Sequence, residues 1–129
     1  MSFNVLLVDD SKVVRTAVRK AIHMAGLPIG SVFEAGNGKE ALELLRGQWI
    51  DLVFSDLSMP EMGGRDLVAL MAHDGLLKSV PVVVVSSEQS QSLAQELQSL
   101  GVRGYIRKPF RPEDFRKVVV ALFGPEKRA

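Results

Sequence analysis

Three hydrophobic runs of this chain end in polar groups that could do chemistry together: Val5-Leu6-Leu7-Val8 leads into Asp9-Asp10, Leu52-Val53-Phe54-Ser55 into Asp56, and Gly104-Tyr105-Ile106-Arg107 into Lys108. If the runs are parallel strands, their carboxyl ends open onto one crevice, the usual ligand site of an open α/β sheet. Two adjacent aspartates after a core strand do not serve stability, because like charges about 4 Å apart repel by roughly 4 kcal/mol at an effective dielectric of 20. Asp9, Asp10 and Asp56 together therefore require a cation. Three hard oxygen donors with room for water and phosphate oxygens suit Mg2+, with Mn2+ as the alternative, better than a nitrogen- or sulfur-seeking metal. Lys108 adds a second positive charge, and without both cations the acids would raise one another's pKa. A lone aspartate after a strand most often caps a helix. The set Asp9, Asp10, Asp56, Ser86 and Lys108 reads instead as a magnesium and phosphoryl site.

Such a site needs strands to carry it and helices to cover them. Residues 4–8, 31–35, 51–55, 80–86 and 103–107 are short runs rich in Val, Ile, Leu and Phe, each followed by a segment with helical spacing. After the first, Ser11 caps a stripe of Val14, Ala17, Val18, Ala21 and Ala25, with Arg15, Arg19 and Lys20 on the other face. After the fifth, Phe115, Val118, Val119, Leu122 and Phe123 repeat the stripe, with Arg116 and Lys117 outward. Between them the spacing predicts helices over 38–46 (Ala41, Leu42, Leu45 inward), about 64–73 (Leu67, Leu70, Met71 inward) and 89–100 (Leu93, Leu97, Leu100 inward). Gly26, Gly47, Gly75 and Gly101 close helices or turns. The runs 5–8 and 80–85 are continuously apolar rather than alternating, as in a parallel sheet covered on both faces.

At 129 residues the chain suits one domain, expected over 1–124, with 125–129 as a frayed tail. It contains no cysteine, so a disulfide framework and a thiolate metal site are excluded; this fits a reducing compartment, and a cytoplasmic location is expected. The apolar run 80–85 falls far short of the ~20 residues that span a bilayer, and no membrane association is expected. Asp9 and Asp10 interrupt the amino-terminal apolar stretch and no basic leader precedes it, unlike a signal peptide. Residues 103–129 hold 8 basic and 3 acidic side chains, whereas the rest of the chain is net −4. This basic end predicts an acidic protein partner rather than nucleic acid, since its charges are spread over a strand, a loop and a helix.

Val8-Asp9-Asp10, Asp56-Leu57-Ser58-Met59-Pro60, Val85-Ser86 and Lys108-Pro109-Phe110 resemble the four signature stretches of the response-regulator receiver domain of two-component systems, above all its single-domain, chemotaxis-type members. The likeness covers nearly the whole chain. It implies a doubly wound, flavodoxin-like α/β fold: a five-stranded parallel sheet in the order 2-1-3-4-5 with five helices. It further implies a phosphoacceptor signalling switch, in which Asp56 takes a phosphoryl group from the phosphohistidine of a histidine kinase or phosphotransfer protein. In that pattern Asp10, Asp56 and the backbone carbonyl of Ser58 hold Mg2+, and Asp9 acts through coordinated water. Lys108 neutralises phosphoryl charge, and its bond to Pro109 is expected to be cis. Ser86 and Tyr105 form the switch, Ser58 and Glu88 tune phosphoryl lifetime, and a protein target docks on the face of the fourth helix, last strand and last helix. The chain would be a signalling protein, not an enzyme, promoting only its own phosphorylation and slow self-dephosphorylation. It ends where a receiver ends, so no output domain is expected; a free-standing regulator, a relay intermediate and a piece of a longer protein all remain open.

Two departures stand out: Ser87 replaces the usual alanine or glycine, and Gly63-Gly64 replaces an acid-glycine turn, so that a looser loop is expected after Asp56. Rival functions fit less well. A Mg2+-dependent phosphohydrolase with an aspartyl nucleophile usually carries a second acid two residues on, where this chain has Ser58. A flavin protein on this fold would need a hydroxyl- and glycine-rich loop after the first strand, where Asp9-Asp10-Ser11-Lys12 would repel a phosphate. His23 and His73 are expected on separate helices, Gly36-Asn37-Gly38-Lys39 lacks full phosphate-loop spacing, and Trp49 reads as an aromatic closing the bottom of the core.

Overall fold

The apolar runs form strands β1 (Phe3–Val8), β2 (Ile29–Ala35), β3 (Leu52–Ser55), β4 (Val82–Ser86) and β5 (Gly104–Arg107) in a computed structural model that describes residues 2–88 and 90–124. The expected tail at 125–129 lies outside the described residues, as does Gln89, the expected first residue of the fourth helix. All pairings are parallel and the order is β2-β1-β3-β4-β5. Burial explains the order: β3 and β4 are buried along their whole length, and the last four residues of β1 likewise, so these occupy the centre. The more exposed β2 and β5 take the edges.

Helices α1 (Lys12–Met24), α2 (Gly38–Gly47), α3 (Gly64–Ala72), α4 (Gln91–Ser99) and α5 (Pro112–Phe123) cover both faces. The strand period of two divides the core. Val5, Leu7, Leu52, Phe54, Val83 and Val85 pack with Ile22 of α1 and with Phe115 and Val119 of α5. Leu6, Val8, Val53 and Val82 pack with Ala41 and Leu45 of α2 and with Leu67 and Met71 of α3. Caps mark the helix starts: Ser11 Oγ accepts from Val14 N, Asn37 Oδ1 from Glu40 N and Ser90 Oγ from Leu93 N. Among the described residues no helix is long and apolar enough to cross a membrane.

Several expectations about which side chains face inward require correction. Ala17 is exposed and Ile22 is buried in its stead, because at about 100° per residue Ala17 sits about 40° past the edge of the arc through Val18, Ala21 and Ile22, roughly a quarter-turn from its centre. Leu70 is 46% exposed, since α3 is seated through Leu67, Val68 and Met71. Trp49 is 78% exposed and closes no part of the core. Its indole N–H donates to Asp51 Oδ1 (3.0 Å) and its carbonyl accepts from Asn4 Nδ2 (3.0 Å), which ties the ring to the rim of the sheet. The aromatic interior is instead the edge-to-face contact of Phe115 with Phe54 and Phe110.

Candidate functional site

Backbone hydrogen bonds carry the sheet ladder one residue beyond the strand ends. Asp9 N donates to Ala35 O (3.1 Å), Asp56 N to Val8 O (2.9 Å) and Lys108 N to Ser86 O (2.9 Å). This ladder sets Asp9, Asp56 and Lys108 level along the carboxyl edge of the sheet. Carboxylate oxygens of Asp9, Asp10 and Asp56 lie within 4.8 Å of one another, the arrangement the strand ends predict. The Lys108 ammonium stands 3.1 Å from Asp9 Oδ2 and 3.7 Å from Asp56 Oδ1. The Lys108–Pro109 peptide is cis, as expected.

Asp9 is buried and held at every polar position: besides its N–H and the Lys108 contact, Oδ1 accepts from Ser11 N (2.9 Å) and its carbonyl from Arg15 Nη1 (2.5 Å). Asp10, by contrast, is exposed. Burial pushes the Asp56 carboxyl above its ordinary value; the Leu57 N–H and the Lys108 ammonium oppose that rise, while Asp9 and Asp10 add to it. The donor set is all oxygen, with no histidine or sulfur, and so fits a hard divalent ion such as Mg2+.

The loop after Asp56 is not loose. A Cβ on Gly64 would lie 2.2 Å from the Asp56 carbonyl oxygen, and one on Gly63 would lie 2.6 Å from that of Leu57. Gly64 N donates to Leu57 O (2.8 Å), Gly38 N to Met62 O (2.8 Å), and Ser55 Oγ to Asp56 O (2.8 Å). The two glycines therefore let the chain press directly onto the Asp56 and Leu57 carbonyls, which corrects the expectation drawn from the missing acid. Glu61 in the same loop takes the left-handed conformation (φ 65°), and its carboxylate accepts from Asn37 Nδ2 at 3.2 Å.

Ser86 is buried at the end of β4, where Oγ accepts from Glu88 N (3.1 Å). Tyr105 does not enter the acidic crevice: its hydroxyl donates to the Glu88 carbonyl, and its ring packs on the cluster of Leu57, Val84, Leu93 and Leu97. Ser58 and Glu88 are exposed. His23 and His73 are exposed and belong to no cluster suited to a metal among the described residues. Arg15, expected on the outward face of α1, turns in over the end of β1 with its side chain only 17% exposed, and its Nε also meets Glu34 Oε1 at 2.9 Å. The usable signal was its place one turn into the helix that follows the paired aspartates.

Residues 5–120 match the family described as response regulator receiver domain. The two-component response regulator ORR3 of Oryza sativa subsp. indica is 34% identical over 116 residues, covering 89% of this chain and 86% of that protein. Chemotaxis protein CheY1 of Helicobacter pylori is 31% identical over 120 residues, covering 92% and 95% respectively. Among solved structures, chemotaxis protein CheY4 of Vibrio cholerae aligns with a TM-score of 0.84 at 31% identity, covering 95% of this chain and all of that one (100%). Strand order, the acidic cluster beside Lys108 and the extent of the match agree, and the chain belongs to the response regulator receiver domain family.

Proposed function

We propose that this chain is the phosphoacceptor of a two-component relay, with residues 1–124 as the working unit and Asp56 as the acceptor. The observation that carries the reading is the Lys108 ammonium set 3.1 Å from Asp9 and 3.7 Å from Asp56, within a pocket where three carboxylates converge. Receiver domains of this family bind Mg2+ at such an acidic pocket. Asp10, Asp56 and the Ser58 carbonyl would hold the ion, with Asp9 acting through its water. When bound, it supplies Lewis-acid neutralisation of phosphoryl oxygens.

An Asp56 carboxylate oxygen attacks phosphorus in line as the phosphorus–nitrogen bond of a phosphohistidine breaks, and the leaving imidazole keeps the electron pair and takes a proton from solvent. Lys108 stabilises charge on the equatorial oxygens, while the ladder that fixes Asp9, Asp56 and Lys108 supplies positioning. Attack of water on the acyl phosphate later returns Asp56 and inorganic phosphate, and Ser58 and Glu88 gate that water. The reading is therefore of a signalling protein that acts on its own aspartate.

Ser86 Oγ already accepts from Glu88 N, which leaves its own hydrogen to donate to a phosphoryl oxygen. Tyr105 holds the carbonyl of the same Glu88, so a shift of Ser86 is felt at the ring. The readout face is that of α4, β5 and α5, where Arg103, Arg107 and Lys117 are exposed and suit an acidic protein. The test is mass spectrometry after incubation with a small-molecule phosphodonor and Mg2+. One added phosphoryl group on the native chain and none on Asp56→Asn is the expected result; no gain on the native chain defeats the reading.

A further inference from the structure

The Asp9 backbone carbonyl is held by a charged side chain from the following helix, whereas that of Asp56 is met by the neighbouring Ser55 hydroxyl, and the Asp9 partner is anchored in turn. Arg15 reaches from the first turn of α1 with Nη1 on the Asp9 carbonyl at 2.5 Å and Nε on Glu34 Oε1 at 2.9 Å. The other Glu34 oxygen is taken by Arg19 Nη2 at 2.7 Å, so both ends of the anchor are occupied. Glu34 stands at the carboxyl end of β2, paired with Leu7 two residues before Asp9. Arg15, Asp9, Asp56, Phe54 and Val85 border a void of ≈ 10 Å³, at the lower limit for a single water, so solvent is a poor substitute for the guanidinium.

We infer that Arg15 is a positioning residue for the cation and phosphoryl site: it orients the Asp9 peptide, and with it the Asp9-Asp10 pair, using Glu34 and Arg19 as its anchor. The inference rests on the functional reading above and goes beyond it, because neither Arg15 nor Glu34 touches a reacting atom. Two physical effects oppose each other at this position. The positive charge of Arg15 beside an anionic pocket works against a cation, whereas a planar fork that fixes the Asp9 carbonyl works for one, by holding the carboxylates in their binding geometry. The paired Glu34 carboxylate offsets the charge and leaves the geometry. Arg19 first, and Arg15 less, hold the Glu34 carboxyl below its usual value against partial desolvation, so the anchor stays ionised at neutral pH.

The test is calorimetric titration of Mg2+ into the full native chain and into Arg15→Lys, Arg15→Met and Glu34→Gln, with the melting temperature of each recorded. Loss of groups that orient ligands typically weakens metal affinity about 10-fold or more. Both Arg15 variants are expected to weaken Mg2+ binding by that factor, since lysine keeps the charge but not the fork, and Glu34→Gln is expected to weaken it in the same direction by less. If Arg15 acted as a charge alone, Arg15→Lys would bind as the native chain does and Arg15→Met more tightly. If it served stability alone, melting temperatures would fall with Mg2+ affinity unchanged. Either result overturns the inference while the native chain still takes up Mg2+; absence of uptake by the native chain overturns the functional reading along with it. Should Arg15→Met not fold, Arg15→Lys and Glu34→Gln carry the same comparison.

Discussion

Replacing Lys108 by methionine keeps the length of the side chain and deletes the ammonium that faces Asp9 Oδ2 at 3.1 Å and Asp56 Oδ1 at 3.7 Å. Each such pair is worth about 4 kcal/mol of Coulomb energy at an effective dielectric of 20. That figure is a ceiling, because the lysine side chain is 22% exposed and its own desolvation is relieved by the change. Exposed pairs contribute below ~1 kcal/mol and fully buried ones cost ~3–5 kcal/mol to break, so a pocket between these limits should lose about 2 kcal/mol without divalent ions at pH 7. For a domain of this size the melting temperature should fall by roughly 6–8 °C.

The sign with pH follows from Asp56. Burial already raises its folded-state pKa above the ordinary value of 3.8, and Lys108 opposes the rise, so the variant raises it further. A carboxyl with a raised folded pKa binds more protons folded than unfolded, so stability falls as pH climbs from the unfolded pKa through the folded one. The loss in Lys108→Met should thus be full at pH 7 and shrink near pH 4. Urea unfolding of the native chain, Lys108→Met, Asp56→Asn and the double variant at both pH values measures it. Asp56→Asn alone should be more stable than the native chain at pH 7 and should offset part of the Lys108→Met loss. Equal losses at the two pH values, or strictly additive single changes, would refute the electrostatic account.

Gly64→Ala places a Cβ 2.2 Å from the Asp56 carbonyl and 3.1 Å from Leu57 Cα, both backbone atoms that cannot step aside cheaply. It should cost ~1–3 kcal/mol in thermal unfolding and slow phosphorylation of Asp56, with a silent variant contradicting the close-packed loop. Tyr105→Phe removes the hydroxyl bond to the Glu88 carbonyl and should destabilise by ~0.5–1.5 kcal/mol. Its uptake of phosphoryl from a small donor, followed by mass spectrometry, should match the native chain. Trp49→Ala should lie within about 0.5 kcal/mol of the native stability, because the ring is 78% exposed; a larger loss by urea unfolding would mean that the ring packs against something.

Alternating composition made much of this protein legible before any coordinates. A strand buried on both faces has to be apolar at successive positions, so 5–8 and 80–85 read as strands covered on both sides, and the structure trims the second to Val82–Ser86. Acids written directly after such strands have no role in packing, so Asp9, Asp10 and Asp56 stood out, as did Lys108 before a proline. The strand order itself came from family resemblance, since period says which segments are strands and nothing about their neighbours. Helix facing was legible only as an arc: Leu70 and Ala17 lay at its edge, and the sheet beneath decided against both.

What the sequence by itself determined is local: which segments extend, which coil, and which polar groups end the strands, because each is set by the period and chemistry of neighbouring residues. Tertiary structure alone decided that Arg15 turns in to the Asp9 carbonyl rather than out to solvent, that two glycines press onto the Asp56 and Leu57 carbonyls, and that Trp49 stays at the rim. Each of these depends on partners brought close from other elements. A charged side chain with a long stem can serve solvent or a carbonyl equally well until the chain supplies the carbonyl.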